Sequence, residues 1–131
     1  MKKDITIPQV KGVYIAVVQM QQKTSDDLDW FAYIINDSDR DLDTVLIVSQ
    51  GYSESKITPP MRHSIANLPA KSYAKIEFLQ EKVLELNNSF KVTFFDGNQM
   101  FDKTYLFRKN TINDKVLQNI SLMEVKGVLM K

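Results

Sequence analysis

Phe90, Val92 and Phe94 alternate with Lys91 and Thr93, and Phe101, Tyr105 and Phe107 share one parity a few residues later. Alternation with period two marks a strand with one buried face. Asp96-Gly97-Asn98 stands between the two runs and has the turn chemistry that tolerates positive φ. Ser89 to Phe107 is therefore read as a β-hairpin that carries much of the core. Other strands read as packing on this pair. Ile5 to Val10 is a short strand, and its Pro8, without a ladder donor, belongs at a sheet edge. Val13 to Met20, Leu28 to Asn36 and Thr44 to Ser49 are strong strands, rich in β-branched and aromatic residues. Gln21 to Asp27 is a polar loop. Asn36-Asp37 opens a turn that continues through Asp39, Asp41 and Asp43, and Gly51 to Pro60 is a loop closed by Pro59-Pro60. Met61 to Ala66 reads as a short strand with Met61, His63 and Ile65 on one side.

The segment 70–86 supports two periods. Tyr73, Ile76, Leu79, Val83 and Leu86 fall at helical spacing among good helix formers. Ala74, Ile76 and Phe78 alternate with Lys75 and Glu77 as a strand would. A strand over 72–79 followed by a looped connector is the reading adopted, with a helix over 70–86 as the alternative. After the main hairpin, Thr111 to Lys115 is mostly polar, and Val116 to Met130 supplies one or two weak strands around Gly127. Seven or more short strands between polar turns predict an all-β antiparallel sandwich. The alternative is an α+β domain with the helix at 70–86. Residues 1–131 read as a single domain, with 112–131 a C-terminal cover segment.

Three strands depart from the usual pattern of one apolar and one polar face. Val13, Ile15 and Val17 oppose Tyr14, Ala16, Val18 and Met20. Trp30, Ala32 and Ile34 oppose Phe31, Tyr33 and Ile35, and Val45 and Ile47 oppose Leu46 and Val48. If these strands are neighbours, their sheet is apolar on both sides and something must cover the outer one. The cover is either Val116 to Met130 folding back or a partner, a second copy of this chain included. The candidate interaction surface is the outer face bearing Tyr14, Val18, Phe31 and Tyr33, or an unpaired edge strand open to strand addition.

Composition narrows the function classes. The chain has 131 residues, enough for one ordinary domain, and its 44% apolar content suits a packed core. Seventeen Lys and Arg against sixteen Asp and Glu leave a net charge of +1, so no global field steers nucleic acid or anionic membrane. The absence of cysteine removes disulfides, thiolate nucleophiles and Cys-based zinc sites. Met1-Lys2-Lys3-Asp4 is not followed by an apolar stretch of the signal-peptide kind, and no apolar run reaches membrane-spanning length. With Met1 as the native start, a cytoplasmic location is expected.

Candidate chemistry is sparse. Asp37-Ser38-Asp39-Arg40-Asp41 matches the first half of an EF-hand loop, but Leu42 and Val48 stand where the loop needs Gly and Glu, so a solvated turn is the better reading. His63 is the single histidine, has no neighbours at metal-ligand spacing, and cannot form a dyad with Ser64, since adjacent strand residues point to opposite faces. It is read as structural or surface. Arg62, Lys71, Lys75, Arg108 and Lys109 could form a basic patch beside Tyr73, Tyr105 or Phe107, but they are interleaved with acids and no RNP pattern is present. Lys103 breaks the apolar parity of its strand and is read as snorkelling. There is no phosphate-cradling glycine loop and no G-x-S-x-G. No catalytic, metal or cofactor residue is assigned.

Leu68-Pro69-Ala70-Lys71-Ser72 resembles the Leu-Pro-x-x-Ser start of the strand before the last hairpin in immunoglobulin-like bacterial sandwiches. Phe90 to Gly97 then looks like the penultimate strand and its turn. Trp30, on what reads as the third strand, sits where such domains place a core Trp. The antibody cysteine pair is absent. The chain is also similar, over Trp30 to Asp37, Leu46 to Gly51 and Phe90 to Thr111, to short uncharacterised bacterial proteins, some of which carry the label phenylalanyl-tRNA synthetase subunit alpha. A class II synthetase needs an antiparallel catalytic sheet with an ATP-gripping Arg motif in a far larger domain. No such motif occurs here, and no catalytic residue is carried over. The resemblance implies an immunoglobulin-like sandwich, and the residues themselves are read as those of a module that binds rather than catalyses, with a protein as the expected partner. An RNA- or tRNA-associated accessory protein and a small enzyme are the alternatives.

Overall fold

The elements follow the alternation closely. The computed structural model describes residues 10–21 and 28–131. Along them run β1 (Val13–Gln21), β2 (Leu28–Asn36), β3 (Leu42–Tyr52), β4 (Met61–Leu68) and β5 (Ser72–Leu79). A one-turn helix α1 (Glu81–Leu84) precedes β6 (Asn87–Asp96) and β7 (Gln99–Phe107). A 3₁₀ turn at Asp114–Val116 leads to β8 (Gln118–Ile120) and β9 (Val125–Met130). The strand expected over 72–79 is present, and the alternative helix over 70–86 is reduced to α1. Burial of Ile76 and Leu79 against the sandwich core outweighs the helix propensity of their neighbours. The strand expected over 44–49 is longer at both ends. The strand expected over 5–10 lies outside the described residues except for Val10, and the loop expected over 21–27 does so except for Gln21, which ends β1.

All described pairings are antiparallel. One sheet has the order β5-β2-β1-β9-β8, the other β4-β3-β6-β7, and they pack face to face as a two-sheet all-β fold. The β6–β7 hairpin sets the second sheet. Asp96 pairs with Gln99, so the turn is Gly97-Asn98, with Gly97 at φ 63° and Asn98 on the negative side, the sign pattern of a type II′ turn.

The core lies between the sheets. Trp30, Phe90, Phe94, Tyr105 and Phe107 are its buried aromatic residues, Phe90 and Phe107 meeting edge to face with centroids 5.8 Å apart. The Tyr105 hydroxyl donates to the Val13 carbonyl at 2.5 Å and ties the second sheet to the first. At one end Asn36, fully buried, donates to the carbonyls of Arg40 (2.8 Å), Leu68 (3.1 Å) and Pro69 (3.0 Å) and accepts from Ser38. It thus holds the β2–β3 and β4–β5 connections together. The acidic run is absorbed locally: Asp37 and Asp39 face Lys71 at 3.2 and 3.8 Å, and Asp41 accepts from the Ala70 amide.

A second buried cluster lies on the outer face of the first sheet. There Ile120 and Met123, from the β8–β9 hairpin, pack on Ala16, Val18, Tyr33 and Ile35, with Tyr14, Phe31, Leu122 and Leu129 at its margin. Gly127 lets β9 approach β1. A Cβ there would stand 2.8 Å from the Val17 carbonyl oxygen and from Val18 Cγ1.

Candidate functional site

One extra residue in β5 shapes the two surfaces of interest. Ala32 pairs with Glu77 but Tyr33 pairs with Lys75, leaving Ile76 as a β-bulge. Before the bulge, Tyr73 and Lys75 face outward and Ala74 inward. After it the parity is reversed, so Glu77 and Leu79 face the core and Phe78 faces out. Strict alternation placed Phe78 beside Ile76 and Glu77 beside Lys75, and the bulge corrects both assignments. Bulges commonly re-aim side chains in this way.

The outward surface is aromatic. Phe31 and Phe78 have ring centroids 5.6 Å apart, and Tyr33 and Tyr73 meet edge to face at 5.9 Å. The Lys75 ammonium stands 4.4 Å over the Phe31 ring and that of Lys131 5.4 Å over Tyr14. Of the four residues expected on an interaction surface, Val18 and Tyr33 are buried under the β8–β9 cover, while Tyr14 and Phe31 are half-buried. Burial, followed by the neighbouring Tyr73 phenol, raises the Tyr33 hydroxyl above its ordinary range. The Tyr33 hydroxyl is 3.4 Å from Met20 Sδ. The cover stops at β1 and β2, so the open apolar area shifts toward β5, where Tyr73 is 45% and Phe78 44% exposed. Those two residues were visible in the sequence, but only the bulge places Phe78 on this face.

The inward product of the bulge is polar. Glu77 Oε1 accepts from Ser49 Oγ at 2.5 Å and lies 2.9 Å from His63 Nε2. This carboxylate side chain is only 11% exposed and His63 23%. The trio joins β3, β4 and β5 across the two sheets. Hydroxyl and imidazole address the same carboxylate oxygen, whereas a Ser–His–acid relay sets the imidazole between the other two. Beside Glu77 opens a cavity of about 250 Å³, walled also by Asn88, Gly51, Pro59, Met61 and Val83. Among the described residues no three His, Asp or Glu side chains stand together as a metal site.

The basic residues do not gather. Arg62 lies on β4 and Arg108 and Lys109 follow β7, opposite edges of one sheet, while Lys75 belongs to the other and Lys71 faces Asp37. No helix among the described residues is long and apolar enough to cross a membrane.

Among the described residues the edges of both sheets are guarded. His63 on β4, Glu77 on β5 and Lys103 on β7 each point an ionisable group toward the core from an edge strand, and the fourth edge, β8, has three residues. Lys103 reaches over the Tyr105 ring at 5.0 Å. Inward charges, bulges and short edge strands all disfavour pairing with another strand. No protein-family model, curated protein or solved structure matches the chain.

Proposed function

We propose that the chain is an immunoglobulin-like binding module that docks a protein partner through the outer face of its first sheet. The partly covered aromatic patch of Phe31, Tyr73 and Phe78 carries this reading, because an apolar sheet face left open beside a covered one marks a contact surface. Guarded edges argue against strand addition and leave the face as the contact. The partner presents an apolar surface bordered by carboxylates, which complement Lys75 and Lys131. A second copy of this chain is a poorer fit, since an isologous contact sets the same patch on both sides and brings lysine against lysine.

Strand order supports the immunoglobulin-like assignment. With β1, β2 and β5 as A, B and E, and β3, β4, β6 and β7 as C, C′, F and G, the sheets run A-B-E and C′-C-F-G. The β8–β9 hairpin is an addition beside A, and Trp30 lies on the B position rather than C.

The test compares capture from extract of the native host by the tagged chain and by Tyr73→Ser/Phe78→Ser, each with and without nuclease. The expected result is a protein retained by the parent after nuclease and lost by a variant whose melting temperature is little changed. Equal capture by both overturns the face assignment, and capture abolished by nuclease favours an RNA-associated role.

A further inference from the structure

We propose that the cavity beside Glu77 is a binding site for a small protonated amine with a short apolar body. This inference is independent of the docking face, because it rests on the inward side of the bulge. Glu77 is held in place through one oxygen only: Oε1 takes both the Ser49 hydroxyl and the His63 contact. Among the described residues no donor reaches Oε2, and the carboxylate forms part of the cavity wall.

The remaining polar wall sets acceptors beside one adaptable hydroxyl, that of Thr58, whose oxygen takes the Gly51 amide at 2.9 Å. Asn88 Nδ2 donates to the carbonyls of Val83 at 2.9 Å and Leu86 at 3.1 Å, which fixes the amide orientation and leaves Oδ1 as an acceptor that no donor among the described residues takes. That oxygen lies 3.4 Å from the position a Cβ would take on Gly51, itself part of the wall. Ser49 has committed its proton to Glu77, and Gln50 Nε2 donates to the Thr58 carbonyl. A ligand that brings several donors and a positive charge matches such a wall. A carboxylate ligand would meet Glu77 as a like charge. A neutral alcohol would form hydrogen bonds about half as strong as the charge-assisted ones of an ammonium.

Size and lining set the rest of the ligand. Pro59, Met61 and Val83 supply apolar surface for an alkyl body. A volume of about 250 Å³ equals roughly eight waters at ~30 Å³ each and falls below the range of drug-sized sites. An amine of about four to six carbons fills it.

The experiment titrates the ¹⁵N-labelled full chain with n-butylammonium chloride, with sodium butyrate and 1-butanol as matched controls, at fixed pH and ionic strength. The expected result is saturable shifts confined to the amides of Ser49, Gly51 and the Asn88 side chain, given by butylammonium and not by butyrate. Glu77→Gln keeps the shape of the wall and is expected to weaken binding by about tenfold or more, the loss of one charge-assisted contact. Gly51→Ala adds a methyl group to the wall, 3.4 Å from Asn88 Oδ1 and Thr58 Cγ2 and 3.1 Å from Leu86 Cδ1, leaves the charge intact and is expected to reduce binding as well, with a urea unfolding curve of each variant separating lost binding from lost fold. No saturable response, shifts scattered over surface carboxylates, equal response to butanol, or undiminished binding by both variants overturns the proposal.

Discussion

The Tyr105 hydroxyl makes the most quantifiable claim of the fold. It crosses between the sheets to donate to the Val13 carbonyl at 2.5 Å, and Tyr105 is 1% exposed. Tyr105→Phe removes one buried hydrogen bond, worth ~1 kcal/mol net, and leaves a buried carbonyl without that donor, which adds about 1 kcal/mol or more. A loss of about 2 kcal/mol is expected at pH 7, or roughly 6–10 °C in melting temperature for a chain of this size. The pH dependence supplies an independent check. Burial first, then the nearby Tyr14 phenol, pushes the Tyr105 hydroxyl above the ordinary tyrosine value. The folded state therefore keeps a proton that the unfolded chain releases near pH 10. This stabilising contribution is complete below pH 10 and is lost above it, by up to ~1.4 kcal/mol per pH unit. Tyr33, raised by burial in the same way, contributes its own slope and is present in both proteins. Urea unfolding of parent and variant from pH 7 to 12 should give a gap that is constant to about pH 10 and narrows beyond it. A gap below ~0.5 kcal/mol at pH 7, or one that stays constant to pH 12, would refute the buried cross-sheet bond.

Asn36→Asp removes the donations to the carbonyls of Arg40, Leu68 and Pro69 and turns an anion toward them, so urea unfolding should show a loss of about 3 kcal/mol or more. Gly127→Ala forces a methyl group to 2.8 Å from the Val17 carbonyl oxygen, and a cost of about 1–3 kcal/mol is expected, with faster amide exchange along β9. Replacing the inward trio by Ser49→Ala, His63→Val and Glu77→Val together should leave the protein as stable as the parent or up to roughly 3 kcal/mol more so, because a paired buried charge is replaced by packed apolar groups. The same triple variant should aggregate sooner in concentrated solution by light scattering, since β4 and β5 lose their inward ionisable groups.

Much of the architecture was legible in local alternation. The β6–β7 hairpin, the strand at 72–79 and the doubly apolar strands β1 and β2 could be read because each rests on a period of two within a few residues. The third doubly apolar strand belongs elsewhere. β3 lies in the second sheet, where Val45 and Ile47 are buried and Leu46 stays 44% exposed, so its outer face is not part of the covered one. Long-range placements were not legible. Nothing near His63 in sequence announces Glu77 or Ser49, which reach it only through sheet register and the stacking of two sheets. Asn36 reads as a turn former, yet its amide also secures a connection more than thirty residues away.

The bulge at Ile76 is the point where local reading fails with the largest consequence. A strand without it would alternate as Ala74, Ile76 and Phe78 against Lys75 and Glu77, a half-buried strand with a charged outer face and nothing exceptional in either direction. Inserting Ile76 as an unpaired residue costs one ladder position but puts two ionisable or aromatic groups where alternation forbids them: Phe78 beside Phe31 on the surface, and Glu77 between the sheets against Ser49 and His63. The same kink, with Lys75 outward and Glu77 inward, makes β5 a poor template for another strand. An edge strand that is both guarded against pairing and unusually aromatic on its outer face is suited to contact by side chains rather than by backbone. That combination favours the face of the first sheet as the proposed contact surface, while the Glu77 cavity opens on the other side of the same strand.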